Sequence, residues 1–439
     1  MKIQPVRRIR ESVRLPGDKS ISHRAAIISA LASRGRSRIT NFSTSEDCAA
    51  TLACFKQLGV IVEQDGTTVI VEAGGPILSE PRVELDCGNS GSTMRMLSGV
   101  LAGQPFASTL TGDASLRSRP MKRVIAPLEM MGARVSSRDG RAPLQITGRR
   151  PLQSLDYELP VASAQVKSAI LLAGLSASGR TNVTETLAPT RDHTERMLQW
   201  FGVPIETKRG DGSSPNVVSI EGPATYQARD YEVPGDISSA AFFIAAAALL
   251  PGSNLLISDV GLNPTRAQVI ASMQKLSADV RVLDMRVVCN EDVGDIQISG
   301  AESLVPKGGG HTNTLRGTEV AQLIDELPML AVVGSQVDGG LEIRDARELR
   351  VKESDRISTT VENLRLMGAE VEEYEDGLKV AGRTRLRGAK LNAHGDHRIA
   401  MAFTVAALVA EGESEIIGAE CVAVSFPGFF SLLESVIER

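Results

Sequence analysis

Hydrophobic and polar positions along the chain follow a long internal repeat. Each repeat opens with a Gly/Asp/Ser turn and a run of small apolar residues, which predicts a buried helix. A Gly break and a strand follow, and then an amphipathic second helix that ends in Leu-Gly or Met-Gly before another strand. The six openings begin at Pro16, Cys87, Val161, Pro234, Leu323 and His394.

Two independent sets of positions measure the period. The helix anchors Asp18, Asn89, Ser163, Asp236, Asp325 and Asp396 are separated by 71, 74, 73, 89 and 71 residues. The predicted ends of the second helices are Gly59, Gly132, Gly202, Ser277 and Gly368, which lie 41, 43, 39, 41 and 43 residues after their anchors. The long interval contains a glycine-rich insertion, Lys307–Gly310. The period exceeds that of ordinary solenoids, roughly 20–50 residues, and indicates small layered α/β units.

The end of the chain suggests how the repeats are grouped. The sixth second helix would end at about residue 437, which leaves no room for the strand that follows it elsewhere. We therefore expect Met1–Leu15 to supply that strand. Six repeats then divide into a first domain of residues 20–229 and a second domain of residues 1–19 plus 230–439. The crossings are predicted near Pro16-Gly17 and Pro234-Gly235, because both have turn chemistry.

Composition narrows the function classes. The chain has 48 basic and 53 acidic residues and only 3% aromatic residues, which argues against nucleic-acid binding and base stacking. The longest apolar run, Ala240–Leu250, is too short to span a bilayer. We see no secretory signal and no zinc-like Cys/His spacing, and the five scattered cysteines are typical of reduced thiols. We therefore expect a cytoplasmic protein that binds neither membranes nor metal.

The repeat openings carry candidate chemistry. A turn before a helix leaves backbone N–H groups unpaired at the positive end of the helix dipole, which suits phosphate or carboxylate. The alternative is that each Gly-Asp or Gly-Asn turn is an ordinary N-cap, and Asp236–Ser239, which has no base, is expected to be one. Lys19 and Arg24 instead favour an anion site, because cations in a first turn oppose the dipole. Bases and small polar residues at or between the openings are Lys19, Ser20, Arg24, Ser90, Ser92, Arg95, Arg119, Lys122, Ser163, Gln165, Lys167, Arg191, Lys352, Arg356, His397 and Arg398.

Acidic residues mark two further segments. In Arg350–Arg356, a helix or tight turn would place Lys352 and Arg356 on one face with Glu353 beside them. The alternative is a solvated, self-neutralising charged stripe. Asp325 opens a repeat where the other openings carry bases or amides, which suggests a proton acceptor, although an N-cap also fits.

At these residues the sequence resembles the 5-enolpyruvylshikimate-3-phosphate (EPSP) synthase family over essentially the whole chain. The most specific segments are Leu15–Arg24, Gly88–Arg95 and Arg350–Arg356, with Asp396–Arg398 in the expected place. The resemblance implies an α/β fold of two lobes, each with three βαβαββ repeats in an inside-out α/β barrel, around a cleft. It also implies transfer of the enolpyruvyl group of phosphoenolpyruvate to the 5-hydroxyl of shikimate 3-phosphate, with release of phosphate. No metal, cofactor or covalent enzyme intermediate is implied, and we expect a monomer.

The resemblance also assigns site residues by position. Shikimate 3-phosphate would contact Lys19, Ser20, Arg24, Ser163, Ala164, Gln165, Arg191, Asp325 and Lys352. Phosphoenolpyruvate would contact Lys19, Gly91, Arg119, Gln165, Glu353, Arg356 and Arg398. Asp325 would accept the 5-hydroxyl proton and Glu353 would protonate the methylene carbon, with Lys19 assisting as charge develops. Closure of the two lobes would expel water from the substrates.

Several positions depart from one branch of that family. Ala164 stands within a triplet that has two serines in that branch, and Ser425 stands where that branch has a lysine. Both changes resemble a second, class II-like branch. Gly91 occupies the position where alanine accompanies glyphosate insensitivity, so we expect inhibition by glyphosate that competes with phosphoenolpyruvate.

Two alternatives stay open at this stage. A sister enzyme family transfers enolpyruvyl to UDP-N-acetylglucosamine on the same fold and uses a cysteine on a loop that here spans Thr111–Arg123, which contains none. A non-catalytic anion-binding repeat protein would need the bases at the openings but would gain nothing from Asp325 and Glu353.

Overall fold

The computed structural model describes residues 1–210, 214–306 and 313–439, and the chain divides into two compact units of mixed α/β structure. Unit A consists of Gly17–Val233 with Val288–Glu291. Unit B consists of Met1–Pro16, Pro234–Val287 and Asp292–Arg439. The chain therefore changes unit at Pro16/Gly17 and Val233/Pro234. The glycine-rich segment Lys307–Gly310 lies outside the described residues.

Helices form at all six repeat openings. None of the helices in the described ranges is long and apolar enough to cross a membrane. The helices are α1 Lys19–Leu31, α2 Glu46–Gln57, α3 Gly91–Ala102, α4 Ala114–Ser118, α5 Lys122–Met130, α6 Ala164–Gly174, α7 His193–Trp200, α8 Ile237–Leu249, α9 Gln268–Lys275, α10 Thr318–Leu323, α11 Leu327–Gly334, α12 Arg356–Leu366, α13 His397–Leu408 and α14 Phe429–Glu434, with 3₁₀ helices at Arg347–Val351 and Ala419–Val424.

The strands are mostly short. They are β1 Lys2–Ile3, β2 Arg8–Arg14, β3 Arg36–Thr40, β4 Val62–Asp65, β5 Thr68–Glu72, β6 Leu85–Asp86, β7 Ala107–Thr111, β8 Arg134–Arg138, β9 Arg141–Thr147, β10 Leu152–Gln153, β11 Asp156–Glu158, β12 Ala177–Glu185, β13 Ile205–Lys208, β14 Asn216–Gly222, β15 Tyr231–Glu232, β16 Asn254–Gly261, β17 Asp279–Val288, β18 Glu291–Ser299, β19 Thr314–Leu315, β20 Leu341–Ile343, β21 Val371–Tyr374, β22 Gly377–Val380, β23 Lys390–Asn392, β24 Ser414–Ile417 and β25 Ile437–Glu438.

Each repeat has its own sheet. In unit A the strand orders are β15-β3-β5-β4, β6-β7-β9-β8 and β10-β12-β14-β13, with β11 also paired to β12. In unit B they are β17-β18-β16-β2-β25, β19-β20-β22-β21 and β1-β24-β23. In the second repeat the chain order is strand, helix, strand, helix and two strands, from β6 through α3, β7, α5 and β8 to β9.

The N-terminal segment is divided between two repeats. β1 pairs antiparallel with β24 of the sixth repeat, as expected, with Lys2 opposite Glu415. β2 instead pairs parallel with β16 of the fourth repeat, with Val13 opposite Ile257. Arg8 and Ile9 of β2 also pair antiparallel with β25 at the end of the sixth repeat. The expectation that all of Met1–Leu15 completes the sixth repeat is therefore wrong for Arg10–Arg14, which pair with β16. The burial of Ile9 and Val13 suits any sheet with one covered face, so the pattern alone does not select the partner strand.

The helices at the openings form the core of each unit. All twelve residues of α13 and twelve of the thirteen in α8 are buried, because a helix that is apolar all round must be covered all round. The second helices end as predicted. Their five end positions all have left-handed backbone, with φ of 85°, 98°, 80° and 90° at Gly59, Gly132, Gly202 and Gly368, and 67° at Ser277.

Candidate functional site

The first helix of unit A begins with two of the residues assigned to substrate. Asp18 caps α1, since its Oδ1 accepts a hydrogen bond from the backbone N of Ile21 at 2.9 Å. Lys19 and Ser20 form the first turn. The Lys19 Nζ atom lies 2.8 Å from Oδ2 of Asp47 in α2. This ion pair offsets the unfavourable interaction of Lys19 with the helix dipole, so the stability of Lys19 at this position does not by itself require a bound anion.

Arg24 lies one turn further along α1 and is only 4% exposed. Its Nε donates to Oγ1 of Thr194, its Nη1 to the carbonyl of Ser20 and its Nη2 to Oγ of Ser168, at 2.7–2.8 Å. These bonds to described residues use three of the five guanidinium N–H groups. Burial, and also the positive charge of Arg191, lowers the pKa of Arg24 to about 10. Arg24 and Arg191 therefore lie close enough to repel each other, and this repulsion would be relieved by a bound anion.

The N-terminus of α3 brings together Gly91, Arg119 and Gln165, three of the four unit A residues assigned to phosphoenolpyruvate. Arg119 Nη2 donates to Oδ1 of Asn89 at 2.6 Å. Arg95 Nη1 donates to Oε1 of Gln165 at 2.6 Å. Gly91 lies between the two guanidiniums: a Cβ there would be 2.7 Å from Arg95 Nη1 and 3.4 Å from Arg119 Nη1. Glycine is therefore required for both arginines to keep these positions beside the helix terminus.

Helix α6 joins the two clusters of unit A. Ser163 caps the helix by accepting from the backbone N of Val166 at 3.4 Å, and Ala164 is the first helical residue. Gln165 Nε2 donates to Oγ of Ser92 at 2.8 Å, while Ser168 on the same helix holds Arg24. All nine site residues predicted in this half of the sequence thus lie in unit A, around the starts of α1, α3 and α6 and on the connecting segments.

The corresponding cluster of unit B is centred on Arg356, which is only 1% exposed. Its Nε lies 2.7 Å from Oδ2 of Asp396, its Nη2 lies 2.6 Å from Oε2 of Glu353, and its Nη1 lies 3.4 Å from Oδ1 of Asp325. Burial acts to lower the pKa of Arg356, but these carboxylates outweigh burial and raise it. The proposed acid and the proposed proton acceptor therefore share one guanidinium.

Arg398 extends this cluster from the start of α13. Its Nη1 donates to Oγ of Ser238 at 2.6 Å and to the backbone carbonyl of Asp325 at 2.9 Å. Its Nη2 lies 3.7 Å from Oδ2 of Asp325. The serine hydroxyl in turn donates to Oε1 of Glu326 at 2.5 Å. Asp236–Ser239 is therefore an N-cap, as expected, but Ser238 also links a buried acid to Arg398.

For the acidic segments, one expectation is wrong and one alternative is excluded. Lys352 and Arg356 do not share a helical face, because the 3₁₀ helix ends at Val351 and α12 begins only at Arg356. Lys352 Nζ instead lies 3.4 Å from Oε1 of Glu348, and burial lowers the pKa of Lys352. Asp325 is not the N-cap of α11 either. Glu326 occupies that position, and the side chain of Glu326 makes no capping hydrogen bond.

Sequence reasoning missed Arg266, which is 3% exposed. Its Nη1 lies 2.9 Å from Oε2 of Glu326, and its Nη2 lies 3.8 Å from Oδ2 of Asp325. The internal repeat contained the signal that would have found it. Leu262-Asn263-Pro264-Thr265-Arg266 matches Leu187-Ala188-Pro189-Thr190-Arg191, 75 residues earlier, so Arg266 is the repeat equivalent of Arg191.

Comparison with solved structures identifies the class of protein. The fold matches an EPSP synthase from Acinetobacter baumannii with a TM-score of 0.84 and 39% identity, over 99% of this chain and 98% of that one. It also matches the enolpyruvyl transferase NikO from Streptomyces tendae with a TM-score of 0.76 and 19% identity, over 99% and 96% of the two chains. The chain thus has the fold of an enolpyruvyl transferase.

Sequence comparison identifies the family. The family model described as EPSP synthase (3-phosphoshikimate 1-carboxyvinyltransferase) matches residues 3–433. A relative named 3-phosphoshikimate 1-carboxyvinyltransferase from Koribacter versatilis is 50% identical over 440 residues, covering 100% of this chain and 99% of the relative. One of the same name from Geobacter is 46% identical with the same coverage. The chain belongs to the EPSP synthase family.

Proposed function

We propose that the described side chains carry out the EPSP synthase reaction in the roles assigned above. In this reaction the enolpyruvyl group of phosphoenolpyruvate is transferred to the 5-hydroxyl of shikimate 3-phosphate in the shikimate pathway. The observation that carries the assignment is the shared guanidinium of Arg356, which holds Glu353 at 2.6 Å and Asp325 at 3.4 Å. A proton donor and a proton acceptor held on one cation meet the main requirement of the chemistry.

The chemistry needs both groups. Phosphoenolpyruvate accepts a nucleophile at C2 only when a proton is added at C3, and Glu353 supplies that proton. Asp325 takes the proton of the 5-hydroxyl as its oxygen bonds to C2. Because the transferred group keeps its double bond, the C3 methyl group must lose a proton again when the C2–O bond to phosphate breaks.

The charge balance of unit B favours a protonated acid once substrate is present. Four cationic groups lie among five carboxylates there. The cations are those of Arg266, Lys352, Arg356 and Arg398, and the carboxylates are those of Asp325, Glu326, Glu348, Glu353 and Asp396. Before substrate binds, Arg356 favours the ionised form of Glu353. Phosphate-bearing substrates add negative charge, which favours proton uptake by a neighbouring carboxyl.

The basic side chains of unit A would bind the negative charges of the substrates. Two polyanionic substrates side by side repel each other by several kcal/mol at an effective dielectric constant near 20, roughly. Arg24 and Arg191 would offset this repulsion by binding the negative charge of shikimate 3-phosphate, which Ser20, Ser163 and Ala164 would also contact. Lys19 and Gln165 would contact both substrates, and Gly91 and Arg119 would contact phosphoenolpyruvate. In unit B, Lys352 would also contact shikimate 3-phosphate, and Arg398 phosphoenolpyruvate.

Each unit is proposed to be one lobe of the family's inside-out α/β barrel. In support, α8, α11 and α13 are buried along their length and unit B has three sheets. In unit A, nearly all of α1, α3 and α6 is buried in the same way. A monomer in the cytoplasm would meet the needs of this reaction.

The direct test is phosphate release from phosphoenolpyruvate. We expect release only when shikimate 3-phosphate is added, and none with UDP-N-acetylglucosamine as the acceptor. Release that does not depend on shikimate 3-phosphate, or that occurs equally with the second acceptor, would contradict the proposal. Binding of both substrates without turnover would favour the non-catalytic alternative.

A further inference from the structure

Four charged side chains are almost completely buried together in unit A. Lys167 is 1% exposed, Glu185 4% and Glu195 5% in their side chains, and Arg24 lies close enough to interact with Glu195. Their charges sum to zero. Buried ion pairs are weak contributors to stability, because desolvation costs about as much as the attraction returns. Such a cluster therefore calls for an explanation other than stability.

Lys167 connects the two carboxylates of this cluster. Its Nζ lies 2.6 Å from Oε1 of Glu195 and 3.0 Å from Oε1 of Glu185. Burial acts to lower the pKa of Lys167, but the two carboxylates outweigh burial and raise it. The ammonium therefore stays charged at neutral pH, and its position is fixed from two sides.

Lys167 and Glu185 both form hydrogen bonds with Thr190. Its backbone N and its hydroxyl both donate to Oε1 of Glu185, at 2.9 and 2.5 Å. Its carbonyl accepts from Nζ of Lys167 at 3.4 Å. Every polar group of Thr190 is thus bonded to Lys167 or Glu185. The segment 186–192, between β12 and α7, contains no helix or strand, so these bonds fix a stretch of chain that regular hydrogen bonding does not.

The residue after Thr190 is Arg191, and the residue after Lys167 is Ser168, which holds Arg24. One turn of α6 therefore fixes Arg24 directly and Arg191 through Thr190. We propose that Lys167 and Glu185 are positioning residues for shikimate 3-phosphate: they hold Arg191 beside Arg24 so that the two guanidiniums bind the anionic groups of this substrate. This inference rests on the proposed function and names residues that bind no substrate themselves.

The mildest test removes one hydrogen bond between Thr190 and Glu185. Thr190→Val deletes the hydroxyl that donates to Glu185 and keeps the shape of the side chain. Loss of a hydrogen bond to a charged group is expected to raise the KM for shikimate 3-phosphate roughly tenfold. The KM for phosphoenolpyruvate and kcat should change less than about twofold. Thr190→Ser, which restores a hydroxyl, should recover most of the affinity.

A second variant tests whether the negative charge of Glu185 is needed. Glu185→Gln keeps an oxygen that can accept from Thr190 but removes the negative charge, so its effect should lie in the same direction as that of Thr190→Val. Arg180→Gln, in an exposed ion pair with Glu206 of the same unit, serves as the control and should leave both KM values unchanged.

Calorimetric titration with shikimate 3-phosphate alone distinguishes failure of the proposed function from failure of the positioning role. If the unaltered protein does not bind shikimate 3-phosphate, the proposed function fails. If it binds and Thr190→Val binds equally well, the positioning role fails. Equal rises in both KM values, or a fall in kcat alone, would also overturn the positioning role, because they would indicate a general structural effect.

Discussion

The Nε atom of Arg356 lies 2.7 Å from Oδ2 of Asp396, and both side chains are almost completely buried although 40 residues separate them in the chain. The carboxylate also caps α13, since its Oδ1 accepts from the backbone N of Arg398 at 2.9 Å. A single acid thus fixes the guanidinium that carries Glu353 and Asp325 and the helix start that carries Arg398.

Asp396→Asn should therefore damage both stability and binding. Removing one charge of a buried ion pair costs roughly 3–5 kcal/mol when its partner is left unpaired, and the lower end applies here because Arg356 keeps Glu353 and Asp325. We expect a loss of about 3 kcal/mol in the free energy of unfolding, since asparagine keeps an acceptor oxygen, and a raised KM for phosphoenolpyruvate. Urea denaturation followed by circular dichroism measures the first. The control is Glu411→Gln, in an exposed pair with Arg385, which should cost less than about 1 kcal/mol.

Glu353→Gln tests the assignment of the acid. Glutamine keeps the size of the side chain and can still contact Arg356, but it has no proton to give to C3. We expect both substrates to bind with little change while kcat falls by orders of magnitude. Glu362→Gln, an exposed carboxylate on α12, should leave turnover unchanged. Turnover in Glu353→Gln close to that of the unaltered protein would refute the assignment.

The helices of the repeats were predictable because their signals are local. Asp18, Ser163 and Asp236 cap their helices within three residues of chain. Gly59 ends its helix because a left-handed backbone is inexpensive for glycine. These features depend on neighbouring residues, which the sequence places side by side.

The partners of the charged residues were not predictable in the same way. The segment Arg350–Arg356 is partly self-neutralising, since Arg356 pairs with Glu353, but nothing in the segment indicates that Arg356 also pairs with Asp396, which lies on another repeat. Likewise, β2 contains nothing that selects β16 over another strand. Long-range pairing follows from how the sheets and helices pack, and only the repeat match between Arg191 and Arg266 carried some of that information in the sequence.

Gly91 should determine sensitivity to glyphosate. We expect glyphosate to inhibit the unaltered protein in competition with phosphoenolpyruvate, and a tenfold excess that leaves the rate untouched would contradict this. In Gly91→Ala the new Cβ would displace the guanidinium of Arg95, whose Nη1 would be 2.7 Å away, and would crowd Arg119. The KM for phosphoenolpyruvate should rise, and the inhibition constant for glyphosate should rise by a larger factor.

A second glycine of the same helix provides the control for that substitution. In Gly99→Ala the Cβ would lie 2.1 Å from the backbone carbonyl oxygen of Ala169 in α6, and backbone cannot give way as a flexible side chain can. This variant should lose stability in thermal denaturation. The ratio of its inhibition constant for glyphosate to its KM for phosphoenolpyruvate should stay unchanged. If the ratio changes in both Gly91→Ala and Gly99→Ala, the change in Gly91→Ala reflects a general disturbance of α3 rather than crowding of Arg95 and Arg119.

His23 should make unit A sensitive to acid. Burial, and also the charges of Lys19 and Arg24, lowers the pKa of His23 well below 6.5. The folded protein therefore keeps His23 neutral where the unfolded chain binds a proton, so stability falls as the pH falls below about 6.5. Between pH 7 and 5.5 the loss from this residue should be at most about 1.3 kcal/mol, the value reached when folded His23 takes up no proton. Trp200, the only tryptophan, lies in unit A and reports its unfolding by fluorescence. In His23→Gln the dependence on pH should weaken by that amount, whereas the exposed His394→Gln should behave like the unaltered protein. Parallel curves for all three proteins would show that His23 takes up its proton equally in the folded and unfolded states.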